Sequence, residues 1–306
     1  MMNGTQRMLI LVVVALASLS QPATAQVPNR LVKDPNVIEE FPFAFKSRSS
    51  ILVPVRFGNR DYLFAVDTGS SLILYDSAFK SQLGPAREIL EAITPSGKVK
   101  VEHFEAPQAF LGTLSLQTVE YVGCTDLNWM RKATKTEVYG IIGMSFLKKY
   151  VLKIDFDTKK LGFLKNPSPE PGFNKDELTF SKGGCPLLAI ELPQIGKRQF
   201  VVDTGFNLAL SLESVDFGSL LQKTEIKLGQ SMQLIDLSGV RFERRVIVSS
   251  MTICSLGVPE VPVCESSNSR NRLGLQVLSA FDCTFDFPAH EIYLNVNDQS
   301  ANHYRK

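Results

Sequence analysis

The chain alternates most clearly just before two aspartates. In ILVPVRFGNRDYLFAVDTGSSLIL, residues 51–74, an apolar run gives way to the polar Gly-containing turn 58–61 and then to a second apolar run. Tyr62, Phe64 and Val66 alternate with Leu63, Ala65 and Asp67, the period of two that β-strands use. The same order returns 136 positions later in LLAIELPQIGKRQFVVDTGFNLAL, residues 187–210. Each copy predicts strand, turn, strand, and then the tripeptide Asp-Thr-Gly.

The repeat continues downstream. AITPSGKVKVEHF, residues 92–104, and LIDLSGVRFERRV, residues 234–246, each place a Ser-Gly turn between strand-like runs. Gly97 and Gly239 give those hairpin tips their backbone freedom. YGIIGMSFL, residues 139–147, and NRLGLQVL, residues 271–278, each predict a short strand, a glycine and one or two helical turns. KIDFDTKKLGFL, 153–164, and TFDFPAHEIYL, 284–294, read as closing hairpins. Four features in one order at similar spacing point to an internal duplication. The fold class predicted is all-β: two similar β-rich lobes related by a pseudo-two-fold axis, with a cleft between them. The boundaries expected are 26–44 for an N-terminal arm, 45–165 for the first lobe, 166–177 for a linker rich in proline, 178–297 for the second lobe and 298–306 for a polar tail.

The first 25 residues have another character. Arg7 precedes the 12-residue apolar run 8–19, and Ala23-Thr24-Ala25 follows as a small-x-small site. This predicts a secretory signal peptide, because a bilayer-spanning helix needs about 20 residues. A secreted, periplasmic or cell-envelope protein with no membrane span in its mature part is expected, and the rival reading is a retained anchor. The net charge is +2 and no basic run interleaves with aromatics, so nucleic acid is not an expected partner. Five cysteines, an odd number, contain no CxxC pair, and the three histidines lie far apart. No metal or cofactor is therefore expected. Cys254 with Cys264 is a candidate disulfide.

An aspartate at the end of an apolar strand is costly unless it is solvated by neighbouring groups. Threonine can hydrogen-bond inward, and glycine lets the backbone N–H turn toward the carboxylate. Two such aspartates brought together across a two-fold axis cannot both ionise easily and share a proton, which suits general acid–base activation of water. The aspartic-protease dyad is the standard example of this effect.

On these motifs the sequence resembles the aspartic proteases over nearly all of residues 45–297. Two DTG lobes in one chain are similar to the pepsin-like arrangement, and the short, alike lobes are similar to the retroviral type. The resemblance implies a secreted endopeptidase acting on extended peptide or protein substrates, working as a monomer. It implies Asp67 and Asp203 as catalytic residues, with Thr68 and Thr204 exchanging hydrogen bonds beneath them. Gly69 and Gly205 would donate N–H groups, and Ser70 would hydrogen-bond the outer oxygen of Asp67. The hairpin at Ser96-Gly97 would be a flap. Ile141-Ile142-Gly143 and Leu273-Gly274 would complete psi-shaped loops around the catalytic strands. Two residues depart from the pattern: Phe206 stands at the counterpart of Ser70, and Arg272 precedes Leu273 where an apolar residue is usual. They motivate the alternative of a catalytically silent, protease-like peptide-binding module of the cell envelope.

Overall fold

Leu52–Phe57 and Arg60–Val66 form an antiparallel hairpin whose turn passes through Gly58 at φ 59°, a left-handed conformation that favours glycine. Its counterpart, Pro186–Leu192 with Gly196–Val202, turns through Gly196 at φ 76°. Each hairpin is the nucleus of a large sheet, and the sheets share one pairing order. Arg60–Val66 runs parallel to Val138–Ile142, which is antiparallel to Leu74–Asp76, which is parallel to Tyr121–Thr125. Gly196–Val202 runs parallel to Arg272–Leu273, which is antiparallel to Leu210–Glu213, which is parallel to Leu256–Ser266. Among the described residues the first sheet has nine strands and the second eight.

These features come from a computed structural model that describes residues 34–45, 49–94, 97–167, 172–223, 226–229, 231–236, 239–266 and 270–300. Strands account for 51% of the structure and helices for 14%, so the protein is mostly β, as the alternation predicts. The described residues from 35 to 300 group together by contact. The expected signal segment lies outside the described residues. Among the described residues no helix is long and apolar enough to cross a membrane.

The two closing hairpins join in a third sheet. Val151–Asp155 pairs antiparallel with Phe281–Asp286, with Val151 opposite Asp286 and Ile154 opposite Cys283. Lys160–Leu164 and Glu291–Val296 flank them. The outermost strands come from segments read as arm and linker: Val37–Pro42 pairs with Lys160–Leu164, and Asn174–Glu177 pairs with Glu291–Val296. The ladder recruits both because each sheet edge offers unpaired N–H and C=O groups.

The strands that lead to the aspartates are held in a dense core. Phe64, Ala65 and Val66 are all fully buried, as are Phe200 and Val202. Alternation therefore predicts the strand but not an exposed face, since the strand ends are covered on both sides. Around Phe64 an aromatic cluster packs edge to face, with Phe64–Tyr75 at 5.2 Å, Phe57–Tyr75 at 5.4 Å and Tyr62–Phe79 at 4.7 Å between ring centres. The Cys254–Cys264 pairing does not form. Cys254 lies in the tight turn between Arg245–Ile253 and Leu256–Ser266, and Cys264 lies at the far end of that hairpin, opposite Arg245. All five cysteines are thiols.

Candidate active site

Asp67 and Asp203 sit where the two DTG strands end. Asp67 N–H donates to Ile142 O at 3.0 Å, and Asp203 N–H donates to Leu273 O at 2.9 Å, so each parallel partner strand carries its ladder up to the aspartate. The chain then loops back under the glycines of the partner strands. Met144 N donates to Ser70 O at 2.8 Å, and Leu275 N donates to Phe206 O at 2.8 Å. The helical turns Met144–Leu147 and Leu275–Leu278 start there. A Cβ on Gly143 would lie 2.1 Å from Leu72 O, and one on Gly274 would lie 2.2 Å from Leu208 O. These loops can close only over glycine, so the apolar-apolar-Gly motif has a steric cause.

The threonines lock the two loops together. Thr68 Oγ1 donates to Val202 O at 2.5 Å and accepts from Thr204 N at 3.1 Å. Thr204 Oγ1 donates to Val66 O at 2.9 Å and accepts from Thr68 N at 3.0 Å. Both side chains are fully buried. Four reciprocal bonds thus tie the bases of the two aspartates.

Above this latch the carboxyl groups meet. Gly69 N donates to Asp67 Oδ1 at 2.8 Å and Ser70 N donates to the same oxygen at 3.1 Å. Gly205 N donates to Asp203 Oδ1 at 3.0 Å. The close approach is crosswise. A Cβ on Gly69 would lie 2.4 Å from Asp203 Cγ, and one on Gly205 would lie 2.4 Å from Asp67 Cγ. This crosswise seating brings the two carboxyl groups close enough for each to perturb the other's ionisation. Burial raises the Asp67 carboxyl well above the usual carboxylate range, and the neighbouring Asp203 charge raises it further. Burial also raises Asp203, but the Arg272 guanidinium beside it acts in the opposite direction.

Two placements differ from expectation. The Ser70 hydroxyl donates to Leu72 O at 2.9 Å, not to Asp67; only its backbone N–H serves the carboxylate. Phe206 can therefore replace it without removing a side-chain bond to the acid, and its own N–H still favours ionised Asp203. Arg272 is not a misplaced charge: its Nη1 lies 3.8 Å from Asp203 Oδ2, and its guanidinium stacks over Phe206. Ser96 lies outside the described residues. Gly97 opens the strand Gly97–Glu105 and pairs with Thr94 across the hairpin tip.

One neighbour had no sequence signal. Cys185 Sγ donates to Gly69 O at 3.2 Å and lies 3.7 Å from Ser71 Oγ, so a thiol from the second half of the chain seats the first DTG loop. Burial raises that thiol, which is therefore neutral at ordinary pH. No cluster of three His, Cys, Asp or Glu among the described residues is placed to hold a metal ion.

Residues 53–146 match the family model for aspartyl proteases. The match covers the first DTG, Asp67 to Gly69, and runs through Ile141-Ile142-Gly143. It supports peptidase chemistry for the chain. A search of curated proteins finds no match. The second DTG lies outside the matched segment, so its standing beside the first rests on the geometry above.

Proposed function

We propose that the chain is an aspartic endopeptidase whose one active site is built by Asp67 and Asp203. In this reading residues 45–165 and 178–297 are two lobes related by an approximate two-fold axis, and the latch of Thr68 and Thr204 lies on that axis. The observation that carries it is the crosswise seating of each carboxylate against the other half's DTG glycine, which places the two acids where each raises or lowers the other's ionisation.

Two carboxyl groups seated this close retain one proton over a wide pH range, because the second ionisation would place like charges together. A water between them gives a proton to the ionised carboxylate as its oxygen attacks the scissile carbonyl carbon. The protonated carboxyl donates to the carbonyl oxygen. Collapse of the tetrahedral intermediate breaks the C–N bond, and a carboxyl proton goes to the departing nitrogen. No covalent enzyme intermediate is required. The substrate lies extended in the cleft, pairing as an added strand, with the hairpin Glu88–Thr94/Gly97–Glu105 closing over it. The apolar run at 8–19 supports export to the periplasm, the envelope or the medium.

The test is digestion of a mixed peptide library from pH 3 to 7 by the wild-type chain, Asp67→Asn and Asp203→Asn. Cutting by the wild type alone is the expected result. Three folded but silent proteins that still retain peptides would move the assignment to a binding module.

A further inference from the structure

The two halves use one pairing pattern, but they do not present the same side chain to the dyad. In the first half Ile141 pairs with Ala65, two residues before Asp67. In the second half Arg272 pairs with Val201, two residues before Asp203. Ile141 packs with Ala65, Leu127, Met130 and Val138 in an apolar cluster. Arg272 is only 9% exposed. Its Cζ sits 4.3 Å over the Phe206 ring, its Nε donates to Ser211 Oγ at 3.2 Å, and its Nη1 points toward Asp203 Oδ2 at 3.8 Å. The two residues that break the repeat therefore touch each other and meet at one carboxylate.

We propose that Arg272, held over the Phe206 ring, is a positioning residue that keeps the negative charge of the dyad on Asp203 and leaves the shared proton on Asp67. A guanidinium stays protonated at every working pH, and its planar face suits stacking on an aromatic ring. A fixed cation next to one carboxylate favours the ionised form of that one. Among the described residues, the following ionisable groups act on the pair. Asp67 faces Asp203, Arg272 faces Asp203, and the neutral Cys185 thiol lies beside the Gly69 carbonyl. The remaining partners are the N–H groups of Gly69, Ser70, Gly205 and Phe206, which serve both sides. Arg272 is thus the asymmetric element. Asp203 becomes the base that takes a proton from water, and Asp67 the acid that donates to the carbonyl oxygen. This division of roles rests on the peptidase reading; the placement of charge does not.

Two amides report on the two acids separately, because Gly69 N–H binds Asp67 and Gly205 N–H binds Asp203. Their NMR shifts would be followed against pH in the full chain, in the wild type and in R272M, R272K and F206L. In the wild type, Gly205 should make most of its shift change at the lower apparent step and Gly69 at the upper. R272M should move the Gly205 step up by about one pH unit or more. R272K should restore part of that shift, and F206L should loosen the stack and move it in the same direction by less. The pH profile of peptide cleavage should move upward with R272M and return toward wild type with R272K. A Gly205 step unmoved in folded R272M, or Gly69 titrating first in the wild type, overturns the proposal. If R272M does not fold, the order of steps in the wild type decides alone. If the amides behave as stated and the wild type cuts nothing, the charge placement stands and the peptidase reading falls.

Discussion

Thr68→Val would remove one hydroxyl and leave the side-chain volume almost unchanged, so it isolates the latch from any cavity. The hydroxyl makes two buried bonds, one to Val202 O and one from Thr204 N. Valine leaves that carbonyl and that N–H without partners in a fully buried place. Each orphaned buried group costs about 1–3 kcal/mol, so the pair should cost about 2–6 kcal/mol. That is a large part of the 5–15 kcal/mol typical of a folded domain. Urea unfolding at constant slope is the assay, with Thr68→Ser as control. Serine keeps both bonds and loses one methyl group, about 1 kcal/mol. The latch also sets the spacing of the carboxyl groups, so cleavage should fall about 10²-fold in whatever Thr68→Val remains folded. A Thr68→Val loss below about 1 kcal/mol, with the slope unchanged, would refute the reasoning.

Two further substitutions test the carboxyl environment. Gly205→Ala places a methyl group 2.4 Å from Asp67 Cγ, so the loops must part; cleavage should drop by at least about 10²-fold while circular dichroism shows a folded β protein. Asp67→Asn tests the raised acid through stability. Its folded value lies above its unfolded one, so the native state holds the proton more tightly and loses stability as pH rises above about 4. Asparagine cannot ionise and avoids that loss. The variant should be more stable than the wild type at pH 8 by several kcal/mol, and the difference should vanish near pH 3, as read by unfolding free energies across pH.

The parts legible in the sequence are those fixed by local geometry. The DTG glycines and the glycine after Ile141-Ile142 are required by close approach, and the turn glycines by their left-handed φ, and either demand leaves few residue choices. The outer strands Val37–Pro42 and Asn174–Glu177 were not legible, because VIEEFP and NKDE lack the alternation of a half-buried strand. The sheet edges recruit them through backbone bonds, which carry no side-chain pattern. Cys185 was invisible for a different reason. Its contact with Gly69 spans 116 positions and leaves no mark in spacing. Asp76 is similar: it is buried, caps Ala78 and Leu127 through their N–H groups and pairs with Arg131 at 3.0 Å, yet reads as an ordinary strand-end acid. Phe206 and Arg272 were legible only as separate departures. Their meaning depends on the fold placing the ring under the guanidinium and the guanidinium beside Asp203.

The central claim is that Asp67 and Asp203 act as one acid–base unit. The most direct measurement is the pH dependence of kcat/KM for a single cleaved peptide, with Asp67→Asn and Asp203→Asn measured beside the wild type. The account predicts a bell bounded by two apparent steps that belong to the pair, and a loss of about 10²–10⁴-fold or more in either variant at every pH. Cleavage that keeps its rate when either aspartate is replaced would contradict it.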